Sequence, residues 1–478
     1  MLTSFYASPT AVSPNAVSPT ASHASETSPL TERMRLSEIL SALSYALDLT
    51  EGQPMGHAIN CCVLGMRLAD AIGLSQEEKS ALYYALLLKD SGCSSNAARV
   101  QQIFGGDELR TKRDFKTTDL SRVLEGFDYL RRNIAVGKSL LERCSRVTQV
   151  ALRAGGQARE LVQIRCDRGA TIARELGFSE STALAIYNLD ERWDGRGYPQ
   201  KLRGGSIPLF SRILSVCQTL EVFGKTFDVK TAFDVIKQRS GRWFDPEIVR
   251  AACGFEHDTQ LWHDLSNLET ARALVLRLEP GEDIIADSER LTKVCEGFAS
   301  IIDAKSPWTH FHSQGVTKAA VGVARLMGMD ENEIVTIRRA ALLHDIGKLG
   351  VSNQILDKPG KLTDDEFAII KRHPYYTQRI LEQISSFQNL AKIAGAHHER
   401  LNGSGYHLGT SGDNLSVSQR ILAVADVYDA LLSERPYRAA LPRETVMQIM
   451  EKDTPHALCA TCFEALKQWS ADEESQAA

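Results

Sequence analysis

Apolar residues recur at helical spacing almost without a break from Leu36 onward. Ile39, Leu40, Leu43 and Leu47 follow the i, i+3, i+4 rule of a helix with one buried face. The same rule predicts helices over 56–72, 76–88, 120–132, 136–153, 157–176 and 180–188, and a long one from about 209 to 222. Val, Ile and Thr alternate over no long run, so little sheet is expected. Residues 257–290 are more polar and Pro280-Gly281-Glu282-Asp283 reads as a turn, which places a domain joint there with one connecting helix at 266–277. The first domain then covers 33–256 and the second 291–470. Residues 1–32, rich in Ser, Thr, Ala and Pro, carry no such period and read as a disordered tail, and 471–478 read as a short acidic one. The expected fold class is all-α, as two tandem helical bundles.

The two bundles read as copies of one another. His57 precedes Asp90 by 33 residues, and His312 precedes Asp345 by the same 33. Leu86-Leu87-Leu88-Lys89-Asp90-Ser91-Gly92 overlays Ala341-Leu342-Leu343-His344-Asp345-Ile346-Gly347. Further on, Glu191-Arg192, Gly195, Gly197 and Tyr198 match Glu399-Arg400, Gly403, Gly405 and Tyr406, and Arg-Ile-Leu follows each Tyr by 14 residues.

Composition narrows the class. The 478 residues carry 55 basic and 60 acidic side chains, a formal charge of −5, which argues against a general nucleic-acid binder. No apolar run reaches the roughly 20 residues of a membrane helix, and the start lacks the pattern of a secretory signal. Ten scattered cysteines, several inside helical patterns, read as reduced thiols, so a cytoplasmic protein is expected.

Candidate chemistry gathers in the second copy. His312 precedes an apolar helix, and His344-Asp345 stands at the end of another. Thr363 and Glu366 form a capping box for a helix that Pro374 should interrupt, which leaves His373 at a corner. His397-His398 ends a further helix, and Asp426 lies in the one that follows. These seven side chains exceed what one tetrahedral metal uses and suit two divalent ions sharing a carboxylate. Such a pair supports phosphodiester hydrolysis, with a hydroxide between the ions as nucleophile. Lys348, Arg435 and Arg438 supply cations for an anionic substrate. Tyr406, in the Gly403-Ser404-Gly405-Tyr406 loop, offers a face on which a base can stack.

With these motifs the second copy resembles the HD-GYP family of bacterial phosphodiesterases. The resemblance rests on His312, His344-Asp345-Ile346-Gly347-Lys348, Lys371-Arg372-His373-Pro374, His397-His398-Glu399-Arg400, Gly403-Ser404-Gly405-Tyr406, Asp426-Val427-Tyr428-Asp429-Ala430-Leu431 and Arg435-Pro436-Tyr437-Arg438, and spans residues 291–450. It implies an HD-domain-like helical fold, a site holding iron or manganese, and hydrolysis of cyclic di-GMP to pGpG or GMP. It makes His312, His344, Asp345, His373, His397, His398 and Asp426 the ligands, with Asp345 bridging and with His344, Asp345 and Lys348 at the catalytic centre. Lys348, Tyr406, Arg435 and Arg438 become substrate contacts. The sequence departs from the family at His407, where a Pro is usual, at Gly315, where an Arg is usual, and at Trp308, where three-metal members carry Glu; two metals are therefore expected. Another cyclic dinucleotide (cyclic GMP-AMP), a nucleotide monoester, or a receptor without turnover stay open as alternatives. The Gly405-Tyr406 loop is a candidate docking point for a signalling partner, and a homodimer is compatible with the chain.

The first copy resembles a degenerate relative. At the matching offsets His344 becomes Lys89, His373 becomes Arg165, His397-His398 become Leu189-Asp190, Asp426 becomes Gln218, Lys348 becomes Cys93 and Arg435 becomes Phe227. Lys89 and Arg165 place positive charge where metals would bind, so no metal is expected there. Nucleotide binding by those cations and a purely structural role remain as alternatives. The pair Cys459 and Cys462, with His456 nearby and no second Cys pair, reads as structural.

Overall fold

The computed structural model describes residues 34–119, 122–136, 138–281 and 284–477. The segment read as a disordered tail lies outside them. The chain is built from helices, as the apolar period requires. The first copy contains α1 (Leu36–Thr50), α2 (His57–Ala71), α3 (Gln76–Leu88), α4 (Ala97–Phe104), α5 (Glu108–Thr117) and α6 (Val123–Asn133). It continues through α7 (Leu140–Glu175), α8 (Glu180–Tyr187), α9 (Leu209–Thr226), α10 (Val229–Arg239) and α11 (Pro246–Cys253). Two short helices, α12 (Thr259–Ser266) and α13 (Leu268–Arg277), cross the joint. The second copy contains α14 (Ser288–Asp303), α15 (His312–Leu326), α16 (Glu331–Leu343), α17 (Asn353–Leu356) and α18 (Asp364–Ile370). It closes with α19 (His373–Leu381), α20 (Gln388–Gly395), α21 (Val417–Leu432), α22 (Arg443–Asp453) and α23 (Ala460–Ala477). Among the described residues the sheet is one pair of two-residue strands: β1 (Met34–Arg35) runs antiparallel to β2 (Ile285–Ala286) and ties the start of one copy to the start of the other.

One continuous apolar core, from Met34 to Leu466, runs through both copies. The joint is therefore packed: Tyr83 donates its hydroxyl to the Val275 carbonyl, and Arg272 donates to Gln383 Oε1 at 2.6 Å.

Several elements differ from the sequence expectation. The helices expected at 136–153 and 157–176 are one, α7, opened by a Ser139/Glu142 capping box. Gly155 and Gly156 sit in it where no other atom lies within 4 Å of an added Cβ, and they weaken the helix without breaking it. The joint holds two helices where one was expected. The terminal acidic stretch continues α23, where Glu473 pairs with Lys318 and Glu474 with Arg443. Short α4 and the short, charge-rich α5 have no counterpart among the expected elements. Asp90 and Arg165 lie 75 residues apart, whereas Asp345 and His373 lie 28 apart. The extra length in the first copy is α4, α5, α6 and the start of α7.

The repeat holds at atomic detail. Gly92 and Gly347 each press against a backbone carbonyl, of Arg165 and of His373, with no room for a Cβ. Gly197 and Gly405 likewise lie against the backbones of Glu191-Arg192 and Glu399-Arg400. Asp48 accepts from Gly56 N and Ala58 N at the start of α2, and Asp303 accepts from Ser313 N and Oγ at the start of α15.

Candidate metal centre

Each candidate ligand of the second copy sits at a helix end or faces one. His312 is the first residue of α15, His344 caps the C-terminus of α16 and Asp345 follows it. The Thr363/Glu366 capping box forms as expected at α18, and Pro374 then sits in the first turn of α19, which opens on His373. His397 and His398 follow α20, and Asp426 projects from α21. All seven converge, and all but His398 are buried.

The convergence has two halves about one carboxylate. His344 Nε2 and His312 Nε2 lie 3.4 and 3.7 Å from Asp345 Oδ2, and the same two nitrogens lie 3.7 and 3.3 Å from Asp426 Oδ1. His373 Nε2 and His397 Nε2 lie 3.3 and 3.6 Å from the other oxygen, Asp345 Oδ1. His398 Nδ1 stands 3.5 Å from Asp426 Oδ2. One half is thus His312, His344 and Asp426, the other His373, His397 and His398, and Asp345 faces both.

The proton positions fit a cation at this centre. Nδ1 of His344, His373 and His397 lies 2.6–2.7 Å from the carbonyls of Ala341, Ile370 and Ala394, so each ring donates there and turns the Nε2 lone pair inward. His373 Nε2 and His397 Nε2 are then two acceptors only 3.0 Å apart. His344 Nε2 and Asp345 Oδ1 are buried without a hydrogen-bond partner. Such a set of inward lone pairs and carboxylates is costly unless a positive ion binds among them. Burial, and then the neighbouring rings, hold His397 well below the ordinary histidine range. Burial opposes ionisation of Asp345, but His344 and Lys348 outweigh it and hold the carboxyl well below the usual carboxylate range. Burial likewise resists charging of His312, but Asp426 and Asp429 push it up to about 9. HD domains bind divalent metals, and this donor set fits them.

The sequence reading missed Asp429. Its Oδ2 lies 2.6 Å from His312 Nδ1 and orients that ring. The signal was available, because Asp429 stands three residues from Asp426 on the same helix face. Gly315 makes room for it: a Cβ there would strike the Asp429 carboxylate. An Arg at this position, usual in the resembled family, is incompatible with that arrangement.

The proposed substrate contacts fall into different settings. Lys348 Nζ donates to Asp345 Oδ2 at 2.6 Å. The Tyr406 ring packs on His398, centroids 4.8 Å apart, with Lys371 Nζ 5.6 Å above it. His407 replaces Pro without opening the loop: its Nε2 bonds Gln378 Oε1 at 3.1 Å, and Glu399 holds the loop through Leu408 N and Thr410 N. Arg438, expected at a phosphate, folds back onto the end of α21 and donates to the carbonyls of Ala430, Leu431, Ser433 and Ala439. Its guanidinium satisfies carbonyls at and just beyond the end of that helix.

In the first copy cations stand where the second copy has ligands. Lys89 Nζ is 2.8 Å from His57 Nε2 and bonds Asp90, and Arg165 bonds Asp190. Lys116 lies 3.1 Å from Glu51 and 3.7 Å from Asp90. Glu221 bonds His57 Nδ1, the counterpart of the Asp429–His312 pair. Each cation here is matched by a carboxylate, so the cluster leaves no surplus positive charge for a nucleotide phosphate, and the geometry favours the structural alternative. Cys459 and Cys462 flank the first turn of α23 and belong to none of the His, Cys and carboxylate groups able to hold a metal among the described residues.

A family model described as HD domain matches residues 140–248 and 296–457. A Vibrio cholerae protein named 3'3'-cGAMP-specific phosphodiesterase 3 is 43% identical over 435 residues, covering 90% of this chain and 94% of its own. Xanthomonas campestris RpfG, a cyclic di-GMP phosphodiesterase response regulator, is 36% identical over 200 residues, 41% of this chain and 52% of its own. A crystal structure of a Vibrio cholerae cyclic GMP-AMP-specific phosphodiesterase, V-cGAP3, aligns over 92% of this chain and 99% of its own, with a TM-score of 0.65 and 39% identity. The chain belongs to the HD-domain family of metal-dependent phosphohydrolases. Its all-α architecture is the one the sequence led us to expect. No helix among the described residues is long and apolar enough to cross a membrane.

Proposed function

We propose that the second copy hydrolyses a phosphodiester of a cyclic dinucleotide. The observation that carries this reading is the division of four histidines, two and two, over the two oxygens of Asp345, with Lys348 on the same carboxylate. His312, His344 and Asp426 would hold one divalent ion and His373, His397 and His398 the other, with Asp345 shared. Bound there, two ions such as iron or manganese supply Lewis acidity and lower the pKa of water to near neutrality.

The chain's own residues do the rest. Asp429 fixes the His312 tautomer, and the carbonyls of Ala341, Ile370 and Ala394 fix three others. Lys348 and Arg435 neutralise the phosphate, and Tyr406 offers its ring to a purine. A cytoplasmic setting fits ten cysteines that are all free.

Likeness over nearly the whole chain to an enzyme named for 3'3'-cGAMP supports that substrate as the preferred one. Cyclic di-GMP, whose named phosphodiesterases match 41% and 38% of this chain, is the competitor and would give pGpG or GMP. The test is an equimolar mixture of the two offered to metal-loaded protein. Faster loss of 3'3'-cGAMP is expected; faster loss of cyclic di-GMP reassigns the preference, and loss of neither sinks the reading.

A further inference from the structure

Helix α5 belongs to the first copy, yet one of its side chains is buried in the second. Glu108 is fully buried and accepts from Lys305 Nζ at 2.9 Å, Ser352 Oγ at 2.6 Å and Asn353 N at 3.0 Å. Those partners flank the metal centre in sequence. Lys305 lies seven residues before His312, and Ser352 lies four residues after Lys348. Asn353 closes the ring by donating from Nδ2 to the Lys305 carbonyl at 2.7 Å and to Asp357 at 2.7 Å. Between Asp345 and Ser352 the chain is a single short turn of helix, Ile346–Gly350, which carries Lys348. Its beginning is fixed by the Asp345 ligand and its end by Glu108.

The other end of α5 reaches the first copy's own cluster. Lys116 pairs with Glu51 and Asp90, and Lys112 donates to the Cys93 carbonyl. Glu108 and Lys116 are eight residues apart, about 12 Å along a helix. A helix absent from the second copy therefore joins the altered centre of the first to the segment beside the centre of the second.

We propose that Glu108 is a positioning residue of the hydrolytic site: through one buried carboxylate the first copy holds the segment that carries Lys348. The proposal rests on the phosphodiesterase reading for its effect on rate, but not for its effect on local order. A carboxylate that takes three donors at once ties the end of the segment to Lys305, and removal of its charge leaves Lys305 buried beside a neutral group. The segment should then open locally while both cores persist.

The test compares full-length wild type, Glu108→Gln and the milder Ser352→Ala, which removes the bond to Glu108 and the cap bond from Gln354 N but unpairs no charge. Hydrogen exchange followed by mass spectrometry should accelerate about tenfold in peptides spanning 346–357 of Glu108→Gln, and by less in Ser352→Ala. Both copies' cores should keep wild-type protection. Under cyclic dinucleotide turnover, kcat of Glu108→Gln should fall about tenfold with KM little changed, and the loss should vanish in a Lys348→Ala background. Unchanged exchange at 346–357 in both variants overturns the proposal. So does acceleration spread over both copies, or an equal rate loss with and without Lys348. If wild type turns over no cyclic dinucleotide, the functional reading fails, and the exchange result still decides this one.

Discussion

Asp429 Oδ2 lies 2.6 Å from His312 Nδ1, and that bond determines which nitrogen of the ring faces Asp345 and Asp426. Carboxylates in this position raise the basicity of a ligand and hold its orientation. Asp429→Asn should therefore weaken metal binding by roughly 10–100-fold without unfolding the protein. Competition with a chelator of known affinity measures it. Gly315→Ala should act in the same direction, because its methyl takes the space of the Asp429 carboxylate.

Lys348 and Arg438 should separate cleanly. Lys348→Ala removes a cation beside the shared carboxylate and should lower kcat on the order of 100-fold. Arg438→Ala removes bonds to three carbonyls at the end of α21 and to that of Ala439 beyond it. It should cost roughly 2 kcal/mol of stability and leave KM nearly unchanged. Arg435→Ala should raise KM. Steady-state kinetics beside denaturant unfolding checks all three.

The first copy's cluster is a set of buried, matched charges. Lys89→Met would leave Asp90 without its nearest cation, and removing one partner of such a pair costs about 3–5 kcal/mol. The expected outcome is a lower unfolding midpoint with unchanged metal stoichiometry, read by urea titration and metal analysis of the same sample.

Acid should act on the same cluster. Burial opposes the charge on Glu51, but Lys116 and Lys112 outweigh it and hold its pKa at about 2, against 4.5 for an ordinary Glu. As pH falls the unfolded chain takes up this proton first, so the stabilisation is complete above 4.5 and is lost between 4.5 and about 2. Glu51→Gln should flatten that limb, by no more than about 1.4 kcal/mol per pH unit. Unfolding free energies between pH 5 and pH 2 measure the change.

The convergence was legible because His and Asp residues fall at successive helix ends of the second copy, and because the 33-residue step from His312 to Asp345 recurs from His57 to Asp90. The fold was legible for the long amphipathic helices. Helix α5 was not: Glu108, Lys112 and Lys116 are polar and become buried only through Lys305, Glu51 and Asp90, partners that no local pattern shows. The setting of Arg438 was hidden for a related reason. The Arg435-Pro436-Tyr437-Arg438 motif carries the charge a phosphate needs. However, Arg435 N and Arg438 N each bond the other's carbonyl, which turns the second guanidinium back onto α21. Asp429 was overlooked although its spacing from Asp426 placed it on the ligand face.

The most direct test of the central claim is cyclic dinucleotide turnover with metal content determined on the same sample, for wild type and Asp345→Ala. Wild type, offered iron and manganese without oxygen, should hold about two ions per chain and open 3'3'-cGAMP or cyclic di-GMP. Asp345→Ala should lose both the ions and the activity. Full turnover by Asp345→Ala, or a metal-replete wild type that leaves both dinucleotides intact, would contradict the account.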